Sequence, residues 1–251
     1  MKGLKRIINL NYELFIAKRI IAGKKYKNSI SSPIIKIAIT AIALGIIIML
    51  IAVATGAGLQ YKIRDKMAGF KGHIQIVNYD ANNSDVSTTA IKKEQDFYPT
   101  FKHVKGIKNV QIFANKAGIL RTKTDFEGII FKGVSTDYDW SFFTEYMVEG
   151  RVPDFNQPRT REVLLSQTII NRLQLKLNDT IIATFIKTVN SKLPSNKKYI
   201  ITGIYNTGFL QFDKSMMIGD IREVQNLNKW TENEVGGFEV LLNDFDEIDE
   251  K

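Results

Sequence analysis

From residue 37 to residue 59 the chain reads IAITAIALGIIIMLIAVATGAGL, a stretch with no charged position. At about 1.5 Å rise per residue, a run of about 20 such residues crosses a hydrocarbon core of roughly 30 Å, so the pattern predicts a transmembrane helix over 37–59. Buried helices of globular cores are usually shorter and rarely follow a block of positive charge. A secretory signal is the nearer rival, because Ala52, Val53 and Ala54 would pass as a cleavage site. The apolar stretch exceeds the roughly 7–15 residues of a signal core, and the segment before it is far longer than a signal's basic lead, so an uncleaved anchor is the reading.

Upstream, Leu10, Leu14, Ala17 and Ile21 recur at helical spacing, with Phe15 and Ile20 widening the face and Glu13, Lys18 and Arg19 opposite. This predicts an amphipathic helix lying on a membrane surface, with Lys24, Lys25 and Lys27 at headgroup level and Pro33 restarting the chain before the membrane helix. A plain basic stretch that only sets topology is the alternative.

Downstream the period changes. The polar run 60–66 extends the helix toward Gly69, and residues 73–77 alternate as a strand. Residues 78–90, rich in Asn, Asp, Ser and Thr, read as a loop. Strands over 110–122 and 126–134 flank Thr124 and Asp125 as a hairpin. Residues 163–165 form a short strand, with Ser166 capping a helix through Leu173. Strands over 180–186 and 198–205 are joined by a loop containing Ser191, Pro194, Ser195 and Asn196. A strand over 215–218 leads to Asp220, which caps a helix to about Leu227, and 238–242 is a last strand. Mixed strands with a few helices predict an α+β domain.

Charge fixes the orientation. Of the net charge of +9, residues 1–36 carry nine Lys and Arg against Glu13 alone, leaving 26 basic and 25 acidic residues in the rest. Basic flanks stay in the cytoplasm, so the near-neutral domain is the translocated part. The same distribution leaves that domain without a footprint for nucleic acid. The domains expected are a cytoplasmic basic segment over 1–33, a transmembrane helix over 34–60 and a translocated domain over 61–251.

Candidate chemistry is sparse. No cysteine is present, which excludes disulfides, thiol catalysis and Cys-ligated metal. His73 and His103 lack ligand-spaced partners, so packed or solvated roles are expected and no metal or cofactor is. No G-x-x-x-x-G-K-[ST] loop occurs, and the acidic run 244–250 reads as a solvated end, so the chain is not expected to be an enzyme. Gly45, Gly56 and Gly58, with Ala41, Ala52 and Ala54, would let another helix approach closely.

The stretch YELFIAKR at 12–19, then the apolar helix, then IRDKMAGFKGHIQI at 63–76 resembles the start of lipoprotein-releasing (Lol-type) ABC transporter permeases. EGRVP at 149–153, EVLLS at 162–166, LKLNDT at 175–180, ITGIYNTGF at 201–209 and Asp213 fit the MacB-like periplasmic core domain shared by FtsX-like permeases. In these motifs Gly150, Gly203 and Gly208 read as tight-turn positions and Asn178-Asp179 as a turn before a strand.

The resemblance implies a permease subunit of the bacterial inner membrane, working with a cytoplasmic ATPase dimer and a second permease subunit, homo- or heterodimeric. It would extract a lipoprotein and hand it to a periplasmic chaperone. It implies that Met49, Ala52, Val53, Thr55 and Gly56 face acyl chains or a partner helix, and that the loop carrying Ser191, Leu193 and Pro194 contacts the chaperone. Family permeases continue into three further membrane helices beyond the point that corresponds to Lys251. The alternatives are an export or cell-wall-regulating permease of the MacB or FtsX kind, and an anchored periplasmic adaptor without an ATPase if the chain ends at Lys251.

Overall fold

The computed structural model describes residues 12–22, 31–79, 85–101, 104–156, 160–185 and 194–245. His103, Ser191 and Leu193 lie outside them, as does most of the acidic end. The chain divides into two compact units, Met1–Lys62 and Ile63–Lys251. The first holds α1 (Tyr12–Ala22) and most of α2 (Ser31–Lys71). Every residue over 33–63 is exposed, so α2 here buries no face against the described protein. A soluble core helix hides its apolar residues; this one presents Ile, Leu, Met and Val on all sides, as a helix surrounded by lipid does. It is the single candidate span among the described residues.

The second unit begins with the last turns of α2. The rest of its elements are β1 (Ile74–Val77), β2 (Ile91–Lys92), β3 (Ile107–Arg121), β4 (Phe126–Val134), α3 (Ser141–Glu145), β5 (Met147–Gly150) and β6 (Glu162–Ser166). They continue with α4 (Gln167–Leu173), β7 (Thr180–Phe185), β8 (Ser195–Tyr205), α5 (Leu210–Asp213), β9 (Met216–Asp220), α6 (Ile221–Asn228), β10 (Glu234–Val235) and β11 (Gly237–Leu242). The architecture is α+β, as the pattern predicts. The hairpin of β3 and β4 closes at Arg121 opposite Phe126, across the expected turn. The small elements β2, α3, β5, α5 and β10 are too short to leave a periodic trace.

Pairing makes the sheet close on itself. β3 pairs β4, β4 runs parallel to β9, β9 pairs β6, β6 runs parallel to β8, β8 pairs β7, and β7 returns to β3. β3 is long enough to serve two partners, β11 along its first half and β7 along its last four residues. β11 and β1 extend the sheet from β3, and β5 extends it from β8.

Alternation along the strands builds two cores. Phe131, Val163, Leu165, Met217, Phe185 and Tyr199 point into the circuit, where Ile169, Ile170 and Leu173 of α4 and Ile221, Val224 and Leu227 of α6 also pack. Their neighbours Val134, Leu164, Met216 and Ile218 point outward and meet a second cluster formed by Phe70, Phe143, Tyr205 and Phe212. Both expected caps are present: Ser166 Oγ accepts from the Ile169 amide at 3.1 Å and Asp220 Oδ1 from the Arg222 amide at 2.9 Å.

One glycine departs from its expected role. Gly150 and Gly208 have φ of +82° and +68°, as turn positions do, but Gly203 lies inside β8. An added Cβ there would sit 2.4 Å from the Arg151 carbonyl, so close backbone approach, not a turn, demands glycine. Gly128 in β4 has open space around the same position. Gly203→Ala is therefore expected to cost at least about 2 kcal/mol and Gly128→Ala to stay within about 1 kcal/mol of the parent, read by thermal unfolding of the full chain.

Candidate functional site: the socket around the last turn of α2

The sequence ends α2 by a local rule. Gly72, at φ +70°, turns the chain out of the helix, its amide bonding the Ala68 carbonyl at 2.8 Å. The His73 amide then donates to the Val240 carbonyl at 3.0 Å, which starts β1 beside β11. His73 Nδ1 accepts from the Leu242 amide at 3.1 Å, and burial lowers its pKa, so the ring is a neutral packing element of the kind expected.

Phe70 fills the second core. It stacks on Phe212 at 4.5 Å between centroids and meets Phe142 and Phe143 edge-on at 5.5 and 5.4 Å, with Tyr205 at 6.1 Å. Gly69 permits the approach, since a Cβ on it would lie inside the Phe142 ring contact.

Beside the aromatic socket lies a buried ion pair. Lys132 of β4 and Glu239 of β11 are each 1% exposed. The Lys132 ammonium donates to both Glu239 oxygens at 2.7 Å and to the Phe70 carbonyl at 2.5 Å, using all three of its protons. Glu239 also accepts from Gln75 of β1 at 3.2 Å and Gln111 of β3 at 3.0 Å. Register explains the convergence, because Gln75, Glu239 and Gln111 occupy one row across β1, β11 and β3. The rings of Tyr138 and Phe113 lie 5.2 and 5.8 Å from the ammonium. Burial pushes the Lys132 pKa down and the Glu239 carboxylate opposes that push. The last turn of the helix thus ends on a cation, the sign its terminal carbonyls favour.

A second strap crosses the same core. Thr207 donates its hydroxyl to Asp213 Oδ1 at 2.7 Å, and Ser166, already capping α4, donates to the Asp213 carbonyl. Asp213 Oδ2 is buried without a hydrogen-bond partner among the described residues. Burial raises the Asp213 pKa against the pull of the Thr207 bond. Among the described residues no group of three or more His, Asp or Glu has the geometry to hold a metal.

The residues singled out in the sequence lie elsewhere. Met49, Ala52, Val53 and Gly56 share one exposed stripe of α2, at spacings of three and four, and Thr55 falls off it. Pro194, the described member of the 191–194 group, immediately precedes β8. Sequence reasoning missed Lys132 and Glu239. Glu239 stands between Phe238 and Val240 in β11, but Lys132, between Phe131 and Gly133, shares β4 with the partly exposed Glu127, so a charge within a strand did not by itself mark a buried pair.

Two outcomes follow from this geometry. Lys132→Ala leaves the Glu239 carboxylate buried without its cation and is expected to cost about 3–5 kcal/mol in thermal unfolding. For Asp213, burial raises the folded carboxyl's pKa above that of the unfolded chain, near pH 4, so this group's contribution to stability falls as pH rises from about 4. The stability of Asp213→Asn relative to the parent should therefore increase between about pH 3.5 and 7, measured as the difference in unfolding midpoints.

Comparison with known proteins follows the same outline. The chain is 21% identical over 237 residues to the lipoprotein-releasing system transmembrane protein LolC of Neisseria meningitidis serogroup B, covering 92% of this chain and 54% of that protein. It spans about half the length of this relative. Among solved structures, the extracellular domain of the noncanonic ABC-type transporter YknZ from Gram-positive bacteria aligns with a TM-score of 0.44 at 17% identity, covering 70% of this chain and 85% of that one. The periplasmic region of MacB from Actinobacillus actinomycetemcomitans gives 0.41 at 15% identity, covering 68% and 67%. Residues 37–250 match the MacB-like periplasmic core domain, and with most of its length inside that match the chain belongs to this family of ABC permease domains.

Proposed function

We propose that the chain acts as a permease subunit of an ABC transporter that releases lipoproteins from the bacterial inner membrane toward a periplasmic chaperone, with ATP hydrolysed in a separate cytoplasmic ATPase dimer. In this reading residues 1–33 are cytoplasmic, 34–60 span the membrane and 61–251 are periplasmic, as the positive-inside rule orients them. A second permease subunit completes the membrane part. The exposed stripe of Met49, Ala52, Val53 and Gly56 meets the acyl chains of the cargo or a neighbouring helix.

The observation that carries the reading is the grip on α2. Its last turn is held at once by β4 and β11 through Lys132 and Glu239, so a displacement of the helix end is delivered to the sheet. That is what a subunit needs if ATP-driven movement of a helix is to do work in a folded domain. Lipoprotein as cargo rests on the likeness to LolC.

The chaperone reading has support in an uncovered surface. Among the described residues, the outer face of the circuit is covered by Phe70 and its partners at one end and exposed at the other. There Ile119, Phe126, Ile182 and Ile200 are exposed, interleaved with Arg121 and Lys198 in registered rows. β7 and β8, the strands on either side of residues 186–194 in sequence, both contribute to this face.

Depletion in the native host should leave lipoproteins in the inner membrane, and the purified protein should bring an ATPase with it. Normal lipoprotein sorting with loss of another export activity would instead point to a MacB- or FtsX-type permease. Purification of the intact native protein without any ATPase would point to the adaptor. Phe126→Asp with Ile182→Asp should weaken capture of the lipoprotein chaperone at least about tenfold without changing the unfolding midpoint, as for loss of central apolar contacts.

A further inference from the structure

We propose that the buried pair of Lys132 and Glu239 couples the last turn of α2 to the sheet and is dispensable for folding of the domain; its role in transport rests on the permease reading above.

Stability alone gives little reason for the pair. Two ions that are 1% exposed lose most of their hydration, and apolar or neutral replacements of such pairs are often neutral or stabilising. What the pair supplies is direction. Gly72 sends the chain away from the helix axis, and the next amides serve other carbonyls: Gly72 bonds Ala68 and His73 bonds Val240. The Phe70 carbonyl is met by the Lys132 ammonium, and the Gly69 carbonyl by the Tyr138 hydroxyl at 3.4 Å. Donors from the domain therefore take the place of the helix's own missing turn.

The aromatic socket cannot do the same work. Ring contacts around Phe70 resist withdrawal of the side chain, but apolar burial has no preferred direction and permits rolling and sliding. A charged donor at 2.5 Å, fixed in turn by two carboxylate bonds, sets rotation and register of the helix end. Because Glu239 is also held by Gln75 and Gln111, four strands feel a pull on one carbonyl.

The test uses the full chain in detergent micelles and the neutral double variant Lys132→Met with Glu239→Gln, in which residue 239 still offers Gln111 an acceptor. Hydrogen exchange of amides 68–73 should quicken at least about tenfold, with amides 162–166 of β6 unchanged and the unfolding midpoint within about 5 °C of the parent. Unaltered exchange over 68–73 would show that the aromatic socket holds the helix alone. A midpoint lowered by more than about 10 °C, or failure to fold, would make the pair a stabilising element. Either result overturns the proposal. No cargo or ATPase enters the measurement, so its failure leaves the permease reading standing, and failure of that reading leaves this result intact.

Discussion

A lysine ammonium bonded to a helix-end carbonyl and to a carboxylate, all inside the protein, organises the outer core of this domain. Lys132 is placed on β4 with its side chain on the outer face, and Glu239 on β11 with the same parity. Neither charge is tolerable alone at 1% exposure, so β1, β3, β4 and β11 must be in register for either to be buried. Once they are, the outer face of the sheet carries a fixed acceptor and donor array, and the last turn of α2 must present the Phe70 carbonyl to it. The aromatic cluster around Phe70 then seals the array from water, which strengthens each of its bonds.

This arrangement accounts for features that look unrelated in one dimension. Gly69 is small because Phe142 crosses it, Gly72 is glycine because the chain must leave the helix there with positive φ, and His73 is neutral because it receives an amide from Leu242. Ser166 serves both cores, capping α4 with one lone pair and holding the Asp213 carbonyl with its proton.

Much of the fold was legible in the sequence because it is written in local chemistry. The charge-free run, the hairpin around Thr124 and Asp125, and the caps at Ser166 and Asp220 all follow from a few neighbouring residues, and the structure has each of them. The socket was not legible for the opposite reason. Lys132 and Glu239 stand 107 residues apart, and nothing within a strand tells a buried charge from a solvated one until register is known. Gly203 misled for a related reason: its neighbour is Arg151, brought alongside by the pairing of β5 with β8. The helix surface at Met49 to Gly56 came from the family resemblance, and its stripe is a property of helical spacing alone.

The closed circuit of six strands has a mechanical side. An open sheet yields under load by letting a terminal strand peel or slip by two residues, but in a ring each strand is hydrogen-bonded on both sides, and slippage of one requires all six to shift together. β3, β4 and β8 belong to that ring, whereas β11 with β1 hangs from β3 and β5 hangs from β8. The domain is thus built like a stiff hoop with two compliant tabs. A force entering at the hoop is shared around its six strands, and the strands bonded on one side only are the ones free to peel.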